Sequence, residues 1–264
     1  MLKKLLKYDL KDMFKFLLVF YLIILFFSVS TRIIGIFNNS FFMNIVYSIF
    51  KGAMIAVSIT IIINNIMRLW VRFRENMYKD ESYLTHTLPI SASNLYISKY
   101  LTAFITLFAS IMVIVLNLGI AFYNKDLYLS LKNILLDFSN MIGTNAIIVL
   151  VGIFLALYLE FINFVLSGET GIILGHKCNN KKMALSVLFG FLYYQVTQVI
   201  VFVLSFLIPA IFNHDILKLF TGEELTNISG FKLIFIACII GYLIINIFTC
   251  VLNVFILKKG VDVE

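Results

Sequence analysis

Apolar residues run along this chain in six long blocks, at about 16–36, 42–67, 100–123, 141–162, 184–212 and 233–257. A helix needs roughly 20 such residues to cross the hydrocarbon core of a bilayer, so each block predicts one transmembrane span. The expected fold is an all-α integral membrane protein, with residues 1–264 forming a single transmembrane domain. Polar interruptions are few. Lys51 falls a few turns inside the second block, where its long stem would carry the ammonium towards the outer interface. Pro209 sits near the end of the fifth block, whose length of nearly thirty residues predicts a tilt or a break. Ahead of the first block, Leu2, Leu5, Leu6 and Leu10 alternate with Lys3, Lys4, Lys7 and Lys11. This is the pattern of a basic amphipathic helix lying in the membrane interface.

Composition supports the same class. Of 264 residues, 61% are hydrophobic and 13% charged, whereas soluble domains run at roughly 45–50% and about 25%. The formal net charge of +7 does not point to nucleic acid, because the cations sit at the ends of apolar blocks rather than on one basic face. Fifteen of the 21 Lys and Arg residues fall before the first block, between the second and third, between the fourth and fifth, or after the sixth. By the positive-inside rule those segments, and both termini, are expected in the cytoplasm. No small-residue cleavage site follows the first block, so it is expected to be retained.

Candidate chemistry is sparse. The chain has no G-x-x-x-x-G-K-[ST], the motif whose amides and lysine hold nucleotide phosphates. Leu166-Ser167-Gly168 matches a nucleotide-site signature over only three residues. Cys178, Cys238 and Cys250 form no C-x-x-C pair, and His86, His176 and His214 are placed in three different loops, so no metal site is expected. The intramembrane ionisable residues, Lys51 and Glu160, are placed near the ends of their spans, which argues against an ion-coupled carrier. Amides are more plentiful, with Asn117 in the third span, Gln195 and Gln198 in the fifth, and Asn246 and Asn253 in the sixth. Asn117, Gln195, Gln198 and Asn246 are candidates for a polar translocation path or for bonds between helices. Ser48, Gly52, Ala56 and Thr60 recur every four positions in the second span and mark a close-packing face, within the subunit or between subunits.

The longest charged connection, residues 68–99, carries the most local information. Asp80 or Ser82 is suited to cap a short helix through Leu88, and Pro89 to end it. Ser91 or Ser93 would cap the next helix. A short helix slung between two spans suits docking into a partner's groove.

Within this connection, Asp80-Glu81-Ser82-Tyr83-Leu84-Thr85-His86-Thr87-Leu88-Pro89-Ile90 resembles the D-E-x-Y-L-T-x-T-L-P block of permease subunits of ABC-2-type ATP-binding cassette transporters from low-GC Gram-positive bacteria. The small-polar stretch 167–182, including Gly175-His176-Lys177, is similar more weakly. The resemblance implies a half-transporter in the bacterial plasma membrane that dimerises with itself or a related permease. It implies two separate ATPase subunits carrying ATP and Mg, with no cofactor or catalytic residue on this chain. Asp80, Glu81, Tyr83, Leu84, His86, Leu88 and Pro89 would belong to the coupling helix seated on the ATPase. Gly175, His176 and Lys177 would make a secondary contact from a loop, and residues 2–15 would form an interfacial connecting helix. Residues 213–231 would form outer re-entrant turns, although His214, Asp215, Glu223 and Glu224 make that stretch polar. The implied cargo is an antimicrobial peptide, a drug or a lipid-like molecule. The rival readings are a stand-alone secondary transporter or channel, and a non-transporting sensor or assembly partner.

Overall fold

The computed structural model describes residues 2–37, 40–79, 82, 90–122, 125–178, 180–212 and 229–259. Among them run seven helices: α1 (Leu2–Ile36), α2 (Phe41–Tyr78), α3 (Ala92–Phe122), α4 (Lys125–Ile142), α5 (Ala146–His176), α6 (Lys182–Phe212) and α7 (Ser229–Lys258). Six of these, all but α4, are long and apolar enough to cross a membrane. At most a third of each apolar window is buried within the fold. Most of the remainder, such as Leu22, Phe26 and Ile33 on α1 and Ile55, Ile59 and Ile63 on α2, is exposed, as a surface facing lipid requires.

The helices overrun the blocks that predict them. At a rise of 1.5 Å per residue, the 35 residues of α1 and 38 of α2 extend about 52 and 57 Å against a core of about 30 Å. The amphipathic start is therefore not a separate helix in the interface but the first turns of α1. Asp9, Met13 and Leu17 lie four apart on its buried face, so packing against neighbouring helices replaces packing against lipid headgroups. Residues 68–78, expected in a loop, are helical for the same reason, whereas α3 starts at Ala92, with the expected cap Ser91 accepting from the Asn94 amide at 3.4 Å. Ser167 to His176 is also helix rather than loop. Pro209 leaves α6 unbroken, because three residues from a helix end it removes only a bond of the last turn.

Local signals set several ends. The Ser40 hydroxyl accepts from the Met43 amide at 3.3 Å to start α2, and Asn145 Oδ1 accepts from the Ile147 amide at 3.2 Å to start α5. Between α4 and α5 the chain turns at Gly143, with φ at 65°, a left-handed geometry in which a side chain is strained. Helix α4 was not expected. Polar residues interrupt its apolar ones, so it forms no continuous block, and Leu131, Ile134 and Phe138 line an exposed apolar stripe along it.

The chain forms two compact units, residues 1–128 and 129–264. In the first, α1 and α3 run parallel with a nearly constant sequence offset: Asp9 meets Lys99, Tyr21 meets Ser110, and Ser28 meets Asn117. Helix α2 runs antiparallel to both, and Ile24, Met54, Ile61 and Ala121 close the core. In the second, α6 runs antiparallel to α5 and α7. A Cβ on Gly171 would collide with the backbone of Gly190 and Ser186, and one on Gly175 with Ser186. The α5–α6 pair is thus built on small residues at four-residue spacing, the geometry that lets membrane helices approach by their backbones. The stripe on α2 meets no other helix of this unit: Ser48, Gly52 and Ala56 are exposed, and a Cβ on Gly52 would meet nothing within 4 Å.

Candidate functional site

Two groups of polar side chains stand out from the apolar helices, one in each unit. In the first unit, Lys99 Nζ donates to Asp9 Oδ1 at 2.7 Å, and Arg72 donates to the same oxygen from Nε and Nη2 at 3.3 Å. Arg72 Nη1 donates to Asp12 Oδ2 at 2.7 Å, and Arg68 Nη2 joins that oxygen at 3.1 Å. The centre of the group is dry, with Asp9 and Lys99 side chains 6% and 8% exposed. Such burial is tolerable only because the carboxylate is matched by hydrogen-bonded cations. The Arg68 guanidinium also lies 5.6 Å from the centre of the Phe16 ring, and Phe73 meets Tyr96 edge-on at 6.1 Å. Three helices are therefore fastened at the end from which residues 79–91 connect α2 to α3.

Of that connection, Asp80, Glu81, Tyr83, Leu84, His86, Leu88 and Pro89 lie outside the described residues. So do residues 213–228 of the proposed outer segment, with His214. Gly175 and His176 are the last two residues of α5, both buried. His176 Nδ1 stands 2.8 Å from the Ile172 carbonyl oxygen. Of this expected contact only Lys177 is exposed. Lys51 keeps its ammonium 5.6 Å from the centre of the Phe122 ring, at the last residue of α3, in keeping with a side chain reaching for an interface.

The amides separate. Asn117 belongs to the first unit, where its Nδ2 donates to the Val113 carbonyl at 2.8 Å. Gln195 is exposed, whereas Gln198 turns inward and accepts from the Tyr242 hydroxyl at 2.9 Å. One turn along α7, Asn246 Nδ2 donates to the Leu159 carbonyl at 3.0 Å. Across the unit, Thr197 donates to Asn163 Oδ1 at 3.0 Å. Gln198 and Asn246 are thus brought into one polar layer, which sequence reading left without Asn163, Thr197 and Tyr242. Asn163, Thr197 and Tyr242 sit on three different helices, so their grouping shows only once the helices are paired.

Glu160 joins this layer. The Tyr194 hydroxyl lies within reach of its charge, as do Tyr242 and Cys238. Because α5 runs from Ala146 to His176, every stretch of roughly 20 residues able to span the hydrocarbon core contains Glu160.

No family model, curated protein or solved structure matches this chain. What the fold defines is a class: a multi-pass membrane protein with six candidate spans in two three-span units.

Proposed function

We propose that this chain is the membrane-spanning permease subunit of an ATP-driven exporter in the bacterial plasma membrane. In this reading both termini are cytoplasmic, the chain works as a dimer with itself or a related permease, and two separate ATPase subunits supply ATP hydrolysis with Mg. Residues 80–89, similar in sequence to the coupling segment of ABC-2-type permeases, receive the ATPase. The observation that supports this most is the buried ionic group of Asp9, Arg72 and Lys99. It ties α1, α2 and α3 together beside that segment, so a push delivered there moves three spans as one body. The exported cargo is an amphipathic molecule.

Purifying the tagged chain in mild detergent from its native membranes tests this. Retention of an ATPase that hydrolyses ATP is expected, with retention lost in Leu84→Asp and Glu81→Arg. An unchanged yield of ATPase in both variants contradicts the reading. One observation favours the rival of a carrier working alone, namely Glu160 as a carboxylate within the α5 span. Uptake by liposomes holding this chain alone under a proton or sodium gradient would establish that rival.

A further inference from the structure

We infer that Glu160 and the amide layer beside it form an intramembrane binding site for a protonated amine that carries an oxygen function nearby. Three observations converge. First, every stretch of roughly 20 residues in α5 contains Glu160, and a carboxylate within a span is expensive unless a cation or strong donors meet it. Helices α5, α6 and α7 supply no Lys or Arg at that level: their cations are Lys182 at the start of α6, and Lys232 and Lys258 towards the two ends of α7. Tyrosine hydroxyls are what the protein itself offers.

Second, the layer keeps unused hydrogen-bonding capacity of both kinds. Asn163 Nδ2 and Gln198 Nε2 are buried donors, and Asn246 Oδ1 a buried acceptor, without a partner among the described residues. Asn163 and Asn246 are 0% and 2% exposed. Leaving such buried atoms unpaired is costly, so the site favours a guest that satisfies them. A protonated amine donates to Glu160 and Asn246 Oδ1, while an oxygen on the same molecule accepts from Asn163 and Gln198. A bare alkali ion leaves the two N–H donors unmet.

Third, the surroundings suit an organic cation. Tyr194 and Tyr242 flank the carboxylate, and Phe164 stands edge-on to Tyr194 with centroids 5.1 Å apart. Aromatic faces attract ammonium groups. Glu160 itself is only half-buried, which leaves the carboxylate reachable from the outside of the unit.

The test uses the full chain in lipid nanodiscs without any ATPase, so its failure and the failure of the ATPase reading are separate results. The probe is a dansyl-labelled N-alkylethanolamine, compared with its neutral N-acetyl derivative, with binding to empty nanodiscs subtracted. The amine is expected to bind about tenfold or more tightly than the neutral analogue, the size of one charge-assisted hydrogen bond. Glu160→Gln should abolish that preference, and Asn246→Ala should weaken amine binding about threefold to tenfold. Asp137→Asn on α4 should change nothing. Tyr242→Phe, which keeps the ring and removes one hydroxyl, guards against misfolding of Glu160→Gln and should lower amine affinity while retaining the preference for charge. Equal binding of both probes, or a full preference in Glu160→Gln, overturns the inference. So does displacement of the amine by millimolar sodium, which would make the occupant an alkali ion. Binding of neither probe would show a layer that holds water only.

Discussion

Lys99 lies 2.7 Å from Asp9 across 90 positions of sequence, and this contact joins the first and third spans. Arg72 of the second span reaches the same carboxylate oxygen at 3.3 Å. One buried acid therefore organises three helices, and its environment makes a firm prediction. Lys99→Ala leaves Asp9 short of a cation in a dry site, which costs about 3–5 kcal/mol. Asp9→Asn combined with Lys99→Met should recover part of that loss, because neither charge is then stranded. Thermal unfolding of the single and double variants in detergent measures the coupling. Additive losses would show that the pair does not act as a unit.

Close backbone approach between α5 and α6 makes a second prediction. Gly171→Ala and Gly175→Ala force a methyl group into neighbouring backbone, and overpacking of this kind costs about 1–3 kcal/mol. Gly52→Ala and Gly119→Ala meet open space and should leave stability within about 0.5 kcal/mol of the parent or slightly above it. Equal effects at all four positions, read by the same unfolding assay, would contradict the packing described.

Membrane orientation yields a third. Cys178, Cys238 and Cys250 are free thiols, and replacing them by Ser gives a background for single cysteines at exposed positions. Cysteines at Lys79 and Lys177 should react with a membrane-impermeant maleimide only after the cells are opened. A cysteine at Lys132, on α4, should react in intact cells. The reverse pattern would invert the proposed topology.

Much of the fold was legible because lipid imposes a simple rule: an apolar block of sufficient length crosses. The rule locates the six spans but not their ends. Helix α2 continues to Tyr78 through Arg68 and Arg72 because Asp9 and Asp12 neutralise those cations, a pairing that counting cations for topology does not reveal. Helix α5 continues through Ser167 to His176 because Gly171 and Gly175 face another helix rather than forming a turn. The stripe on α2 and the glycines on α5 show the same limit from the other side. Four-residue spacing of small side chains identifies a face able to pack closely, and only the partner helix decides whether it does.

Residues 80–89 were the strongest functional signal in the sequence, and all of them but Ser82 lie outside the described residues. Their role is therefore best tested by direct capture in the membrane. A photo-crosslinking amino acid at position 84, irradiated in native cells and analysed by mass spectrometry, reports what that position touches. The account predicts a covalent adduct with a nucleotide-hydrolysing subunit that carries a phosphate-binding loop. Adducts with lipid alone, or with no protein at all, would contradict it.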